Sequence, residues 1–125
     1  MSPTAAEEVS KRLSYADDLL SDERLPIGIW PKCCAWLLRT AVERAIVALC
    51  VASYGAHLST RAHLLTLSKY VDPNLAHATA ALWYSLSRAA HHHDYELAPT
   101  ADELRSWRSD AVQVTEGLLA ALSTT

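Results

Sequence analysis

The sequence predicts an all-α protein, a helical bundle of four long helices and one short helix, and three observations carry that prediction. Apolar residues recur three and four apart through most of the chain, the spacing that lines one face of an α-helix. Start and stop signals for helices punctuate the chain at matching intervals. No period-two run and no Asn-Gly or Asp-Gly pair marks a strand or a hairpin.

Thr4 and Glu7 have capping-box spacing, and Val9, Leu13, Ala16 and Leu20 follow at helical intervals, so a first helix runs from about Ala5 to Leu20. Pro26 and Gly28 interrupt it. Pro31 suits the first turn of a second helix, in which Cys34, Leu37, Leu38, Ala41, Ala45, Ala48, Leu49 and Ala52 keep the period until Gly55. Around Ile46, Val47 and Val51 this helix is apolar on nearly every side, which makes it the central one. A shorter helix spans about Thr60 to Tyr70. Asp72 and Pro73 then supply an N-cap and a first-turn proline for a fourth helix that reaches the histidine run, and Asp94 to Pro99 reads as a loop. Thr100 with Glu103 makes a second capping box, and Leu104, Trp107, Ala111, Val114, Leu118 and Ala121 define the last helix. At 125 residues the chain amounts to one domain with one core.

Composition narrows the function classes. Half of the residues are hydrophobic, which argues against disorder. Cys33, Cys34 and Cys50 are odd in number and two are neighbours whose side chains diverge on a helix, so they read as reduced, packed thiols and not as a disulfide framework or a zinc site. Residues Met1 to Glu8 carry acidic side chains where a signal peptide carries basic ones, and the longest apolar run, Ala45 to Ala52, falls far short of the roughly 20 residues that span a bilayer. A cytoplasmic protein without a membrane partner is expected. The net charge of −3 leaves no extended nucleic-acid footprint and confines any RNA contact to a small site.

The fourth helix carries two seams. Leu75, Thr79, Leu82 and Leu86 form an apolar stripe for the core, while His77, Tyr84 and Arg88 share another side, with Trp83 beside them. An interaction patch and a catalytic groove both fit this second seam. Beyond it comes the pattern Arg88, four residues, His93, one residue, Tyr95. A guanidinium offers a rigid fork of donors to phosphate oxygens, and an imidazole exchanges a proton near neutral pH. Together they can activate a ribose 2′-hydroxyl and stabilise charge at the adjacent phosphorus.

A solvated helix end with three adjacent histidines fits the same residues. A metal site fits poorly, because His91, His92 and His93 point about 100° apart on a helix and cannot converge on one ion. Were the helix unbroken, His93 would stand about 140° from Arg88, whereas His91 or His92 would share the arginine's side. His93 can partner Arg88 if the helix ends near His92. The residues leave open which histidine is used.

Other features read as structural. Trp30, Trp36 and Trp107 are core or interface anchors, since they lack the interleaved basic residues of a single-strand groove. His57 and His63 read as surface residues flanking a turn. Asp17, Asp18, Asp22 and Glu23 surround the end of the first helix and read as solvated, with no metal-ligand pattern.

The Arg88 to His93 spacing resembles the arginine, four to six residues, histidine motif of HEPN domains, small all-α bundles that include metal-independent ribonucleases and toxins of bacterial defence systems. Trp36 to Ala45 is similar to the alanine-rich early helix of such bundles, and His91 to Leu104 is similar to short actinobacterial HEPN-like proteins. With Tyr95 the spacing is that of HEPN toxins whose antitoxin is a minimal nucleotidyltransferase. The resemblance implies a homodimer with Arg88 and His93 of each copy flanking the scissile phosphate of an RNA substrate and no cofactor, and the aromatic seam of His77, Trp83, Tyr84 and Arg88 places that dimer largely on the third and fourth helices. It gives His93 the 2′-hydroxyl proton, Arg88 the phosphorane charge, and Tyr95 either a phosphate oxygen or the role of the residue an antitoxin modifies. His91, His92, Tyr84 and His77 would contact substrate. Active members commonly carry Asn or Asp directly after the arginine, where this chain has Ala89, so the alternative is a catalytically silent HEPN-like module that binds a partner protein or a nucleotide.

Overall fold

The computed structural model describes residues 4–21, 30–91 and 98–124. Among the described residues there are helices and turns and no strand, in the order α1 (Ala5–Ser21), α2 (Trp30–Tyr54), α3 (Thr60–Thr66), a 3₁₀ turn (Leu67–Lys69), α4 (Pro73–Ala90) and α5 (Ala101–Ser123). The all-α bundle of four long helices and one short one stands.

Local chemistry sets the helix starts. At α1 the Thr4 hydroxyl accepts from the Glu7 N–H while the Glu7 carboxylate accepts from the Thr4 N–H, each at 3.1 Å. Thr100 and Glu103 repeat the arrangement at α5. Asp72 caps α4 through the N–H groups of Asn74 and Leu75, and Pro73 fills the first turn. Ser59 caps α3 by accepting from the Ala62 N–H. Gly55 ends α2 with φ at +96°, a conformation that costs glycine no side-chain clash. The third helix is shorter than its spacing predicts. The Thr66 hydroxyl bonds to the Ala62 and His63 carbonyls, and from Leu67 the chain tightens into 3₁₀ geometry up to Tyr70.

Helix α2 is the hub and packs against α1, α3, α4 and α5. Its buried set, Cys34, Ala35, Leu38, Ala41, Val42, Ala45, Ile46, Leu49 and Cys50, meets Leu82 and Leu86 of α4 and Leu104, Ala111, Val114 and Leu118 of α5 in one core. Val47 and Val51 are only half-buried, and Trp36 is 54% exposed, so α2 shows an outer side to solvent despite its composition. Gly117 lets α5 close onto α4: a Cβ there would lie 2.8 Å from Leu75 Cδ2. Polar fasteners hold α1. Glu8 accepts from the Arg44 guanidinium, Arg12 donates to the Thr40 carbonyl at 3.1 Å, and Asp17 takes the Arg108 fork, with contacts of 2.7 and 2.8 Å. Asp17 is thus an inter-helix partner rather than a free solvated carboxylate. Asp22 and Glu23 lie outside the described residues. Among the described residues no helix is long and apolar enough to cross a membrane.

Candidate functional site

Helix α4 carries the candidate residues because its apolar stripe fixes its rotation. Thr79, Leu82 and Leu86 are buried and Leu75 is half-buried, which turns His77, Tyr84 and Arg88 to the outside, and all three are exposed. Arg88 stands in the last turn. Among the described residues its guanidinium makes no hydrogen bond or ion pair. The helix stops at Ala90. His91 is its C-cap, with φ −113° and ψ 19°, and the His91 N–H reaches only to the Arg88 carbonyl at 3.3 Å. His92, His93 and Tyr95 lie outside the described residues.

Trp83 departs from the expected seam. It is 6% exposed and faces α2, where its indole N–H donates to Glu43 Oε1 at 2.8 Å. Tyr84 remains outside, with its ring edge-on to Trp83 at 5.0 Å. The same Glu43 oxygen accepts from Arg39 Nε at 3.0 Å, and the Arg39 guanidinium carbon lies 5.3 Å from the Trp83 ring centroid. A further Arg39 nitrogen meets His91 Nε2 at 3.0 Å. Because a guanidinium has only donors, this contact is a hydrogen bond when the imidazole nitrogen accepts, which is the tautomer that carries its proton on Nδ1. The described guanidinium–imidazole pair is therefore Arg39 with His91, across two helices.

The sequence motif did not single out Arg39 or Glu43. Their four-residue spacing is that of an ordinary helix-surface pair, and only the packing of α4 on α2 turns it into a site.

The remaining titratable groups separate into structural roles. His63 is 1% exposed, contrary to its surface reading. The short α3 rolls it inward, where its Nε2 accepts the Leu58 N–H at 3.0 Å, and burial, then the nearby His57, pushes its pKa down. Burial lifts Cys34 to about 12, with Asp17 and Cys33 adding to the shift, and lifts Cys50 to about 11, so both are protonated packed thiols. Cys33 is free and exposed, so the packed-thiol expectation fails there. Trp30 and Trp107 pack partly against the core, whereas Trp36 stands outside. Among the described residues no three His, Cys, Asp or Glu side chains gather as a metal-binding group.

No family model matches the chain, and no curated protein or solved structure matches it.

Proposed function

We propose that this chain is a HEPN-like, metal-independent endoribonuclease that works as a homodimer, with a two-fold axis setting two copies of Arg88 and His93 into one cleft. The observation that carries the reading is the end of α4. The helix stops at Ala90, two residues after an exposed Arg88 that has no partner among the described residues, so the α4 helical register ends before position 93. A two-fold interface supplies two imidazoles, and one histidine cannot be base and acid in the same step. On this reading His93 takes the proton from a ribose 2′-hydroxyl and the freed oxygen attacks phosphorus. Arg88 neutralises the phosphorane, and the 5′-oxygen leaves with a proton from the partner's His93. The product is a 2′,3′-cyclic phosphate. Tyr95 bonds a phosphate oxygen or receives an antitoxin's modification, and the chain serves as the toxin of a toxin–antitoxin or phage-defence pair.

The test is cleavage of single-stranded RNA by the purified protein in excess EDTA. Cyclic phosphate ends are expected, with a hundredfold or greater loss in Arg88→Ala and His93→Ala, since acid–base groups and charge stabilisation are typically worth about 10²–10⁴. Full activity in both variants, or activity that requires added magnesium, excludes this mechanism.

One observation favours the silent module. Ala89 packs into the bundle at 7% exposure, so the position after Arg88 offers no polar side chain to the site. An Arg88-dependent complex with a nucleotide or partner protein, without any RNA cleavage, would select that reading.

A further inference from the structure

We infer that Arg39, His91 and Arg88 form a phosphate-binding site in the groove between α2 and α4, and that His91 acts in it as a hydrogen-bond donor and not as a base. The assignment of RNA as the phosphate's source rests on the ribonuclease reading; the site itself rests on the geometry.

Arg39 is held in place before any ligand arrives. Its Nε is tied to Glu43, its face lies on Trp83, and Trp83 is anchored in turn to the same Glu43 oxygen. A guanidinium fixed in this way loses little freedom when it binds an anion. The side chain keeps 22% exposure, and its second terminal nitrogen has no partner among the described residues. Nε is thus spent on Glu43 and one terminal nitrogen on His91, which leaves the second terminal nitrogen to bind an anion.

His91 completes the arrangement because Arg39 occupies its Nε2 lone pair. A base needs that lone pair; a donor needs only the proton left on Nδ1. Arg88 precedes His91 by three residues, and side chains so spaced are neighbours on a helix surface. Arg39 and Arg88 each bring a guanidinium to the site, and among the described residues the carboxylate that Arg39 meets, Glu43, is already engaged by two donors. Fork-shaped donors carried on two packed helices match a phosphate group with several oxygens. The assignment also relieves the ambiguity of the histidine run, since it leaves the proton-transfer role to His93 or His92.

The probe is a 2′-O-methyl RNA oligonucleotide, which the full chain can bind and cannot cleave by 2′-oxygen attack, titrated beside inorganic phosphate. Arg39→Ala should weaken oligonucleotide binding about tenfold or more, the size of one charge-assisted hydrogen bond. Glu43→Gln keeps an acceptor for Arg39 and Trp83 while removing the opposing charge, and should tighten binding. Nitrogen-15 spectra of the imidazoles should place the His91 proton on Nδ1, and Arg39→Ala should release it to a mixture of tautomers. If Arg39→Ala fails to fold, Arg39→Lys keeps the charge, loses the fork and should still cost severalfold.

Unchanged binding in the Arg39 variants, weaker binding in Glu43→Gln, a His91 proton on Nε2, or a wild-type chain that binds neither probe overturns the site. Binding of inorganic phosphate without the oligonucleotide overturns the RNA assignment. Arg39-dependent binding by a protein that leaves unmodified RNA intact keeps this site and removes the ribonuclease reading. Cleavage that persists with unchanged binding in Arg39→Ala does the reverse.

Discussion

Two histidines of this protein accept a hydrogen bond at the same ring nitrogen and use it differently. His63 Nε2 takes the Leu58 N–H inside the bundle, and His91 Nε2 takes an Arg39 donor at its surface, both at 3.0 Å. At His63 the partner is the Leu58 backbone N–H and the ring itself is buried, so the imidazole serves the fold. At His91 the partner is a long, partly exposed side chain with a further donor to offer, which is the arrangement the proposed phosphate site requires. Burial, rather than bond length, separates a structural imidazole from a functional one.

The comparison breaks most readily at His63. His63→Ala removes a buried side chain and strands the Leu58 N–H, so chemical denaturation should register a loss of about 2–4 kcal/mol. A loss under about 0.5 kcal/mol would mean that the α2–α3 turn holds without it.

Acidity sharpens the contrast next. Because the folded state lowers the His63 pKa, the unfolded chain takes up the proton first. Stability is then fully present above the ordinary histidine value near 6.5 and falls as the pH drops through it towards the lower folded value. His63→Gln, which can still accept from Leu58, should flatten that slope in urea titrations between about pH 7 and 5. A slope that survives the substitution assigns it to other groups.

Trp83→Phe isolates the anchor beneath Arg39. It removes the N–H donor to Glu43 and should cost about 1 kcal/mol, with a matching loss of 2′-O-methyl RNA binding as Arg39 loosens. The smallest effect belongs to His91→Ala. An exposed pair contributes little to folding, so the midpoint of unfolding should shift by less than about 0.5 kcal/mol while oligonucleotide binding weakens. A large stability loss at His91 would erase the distinction drawn here.

The helix boundaries were legible because their causes are local. The two capping boxes, the Asp72-Pro73 start and the Gly55 stop each lie within a few residues of what they determine, and each is realised by the expected groups. The site was legible only on its α4 side. Spacing put His77, Tyr84 and Arg88 on one face, but it could not show that Trp83 turns inward, since the Glu43 acceptor lies 40 residues away. Nor could it pair Arg39 with His91 across 52 residues. His63 was misread for a related reason: its inward aim is tied to the Leu58 N–H and to burial against the bundle, neither of which residue spacing reports. Periodicity reports which side of a helix is buried, and long-range polar partners are chosen only after the helices dock.

Helix α1 has a consequence for how the bundle breathes. It packs broadly on α2 but buries just Val9 and Ala16 fully, with Leu13, Leu19 and Leu20 packed in part, and it adds two ion pairs, Glu8 with Arg44 and Asp17 with Arg108, and the Arg12 bond to the Thr40 carbonyl. Ionic fasteners at a surface are screened by dissolved salt, whereas the α2–α5 contacts are apolar and are not. Amide protons of α1 should therefore exchange with solvent through a partial opening that leaves α2 and α5 closed, and raising ionic strength should speed that exchange selectively. The bundle then behaves as a firm nucleus with one salt-sensitive leaf, and the groove between α2 and α4 lies on the firm part.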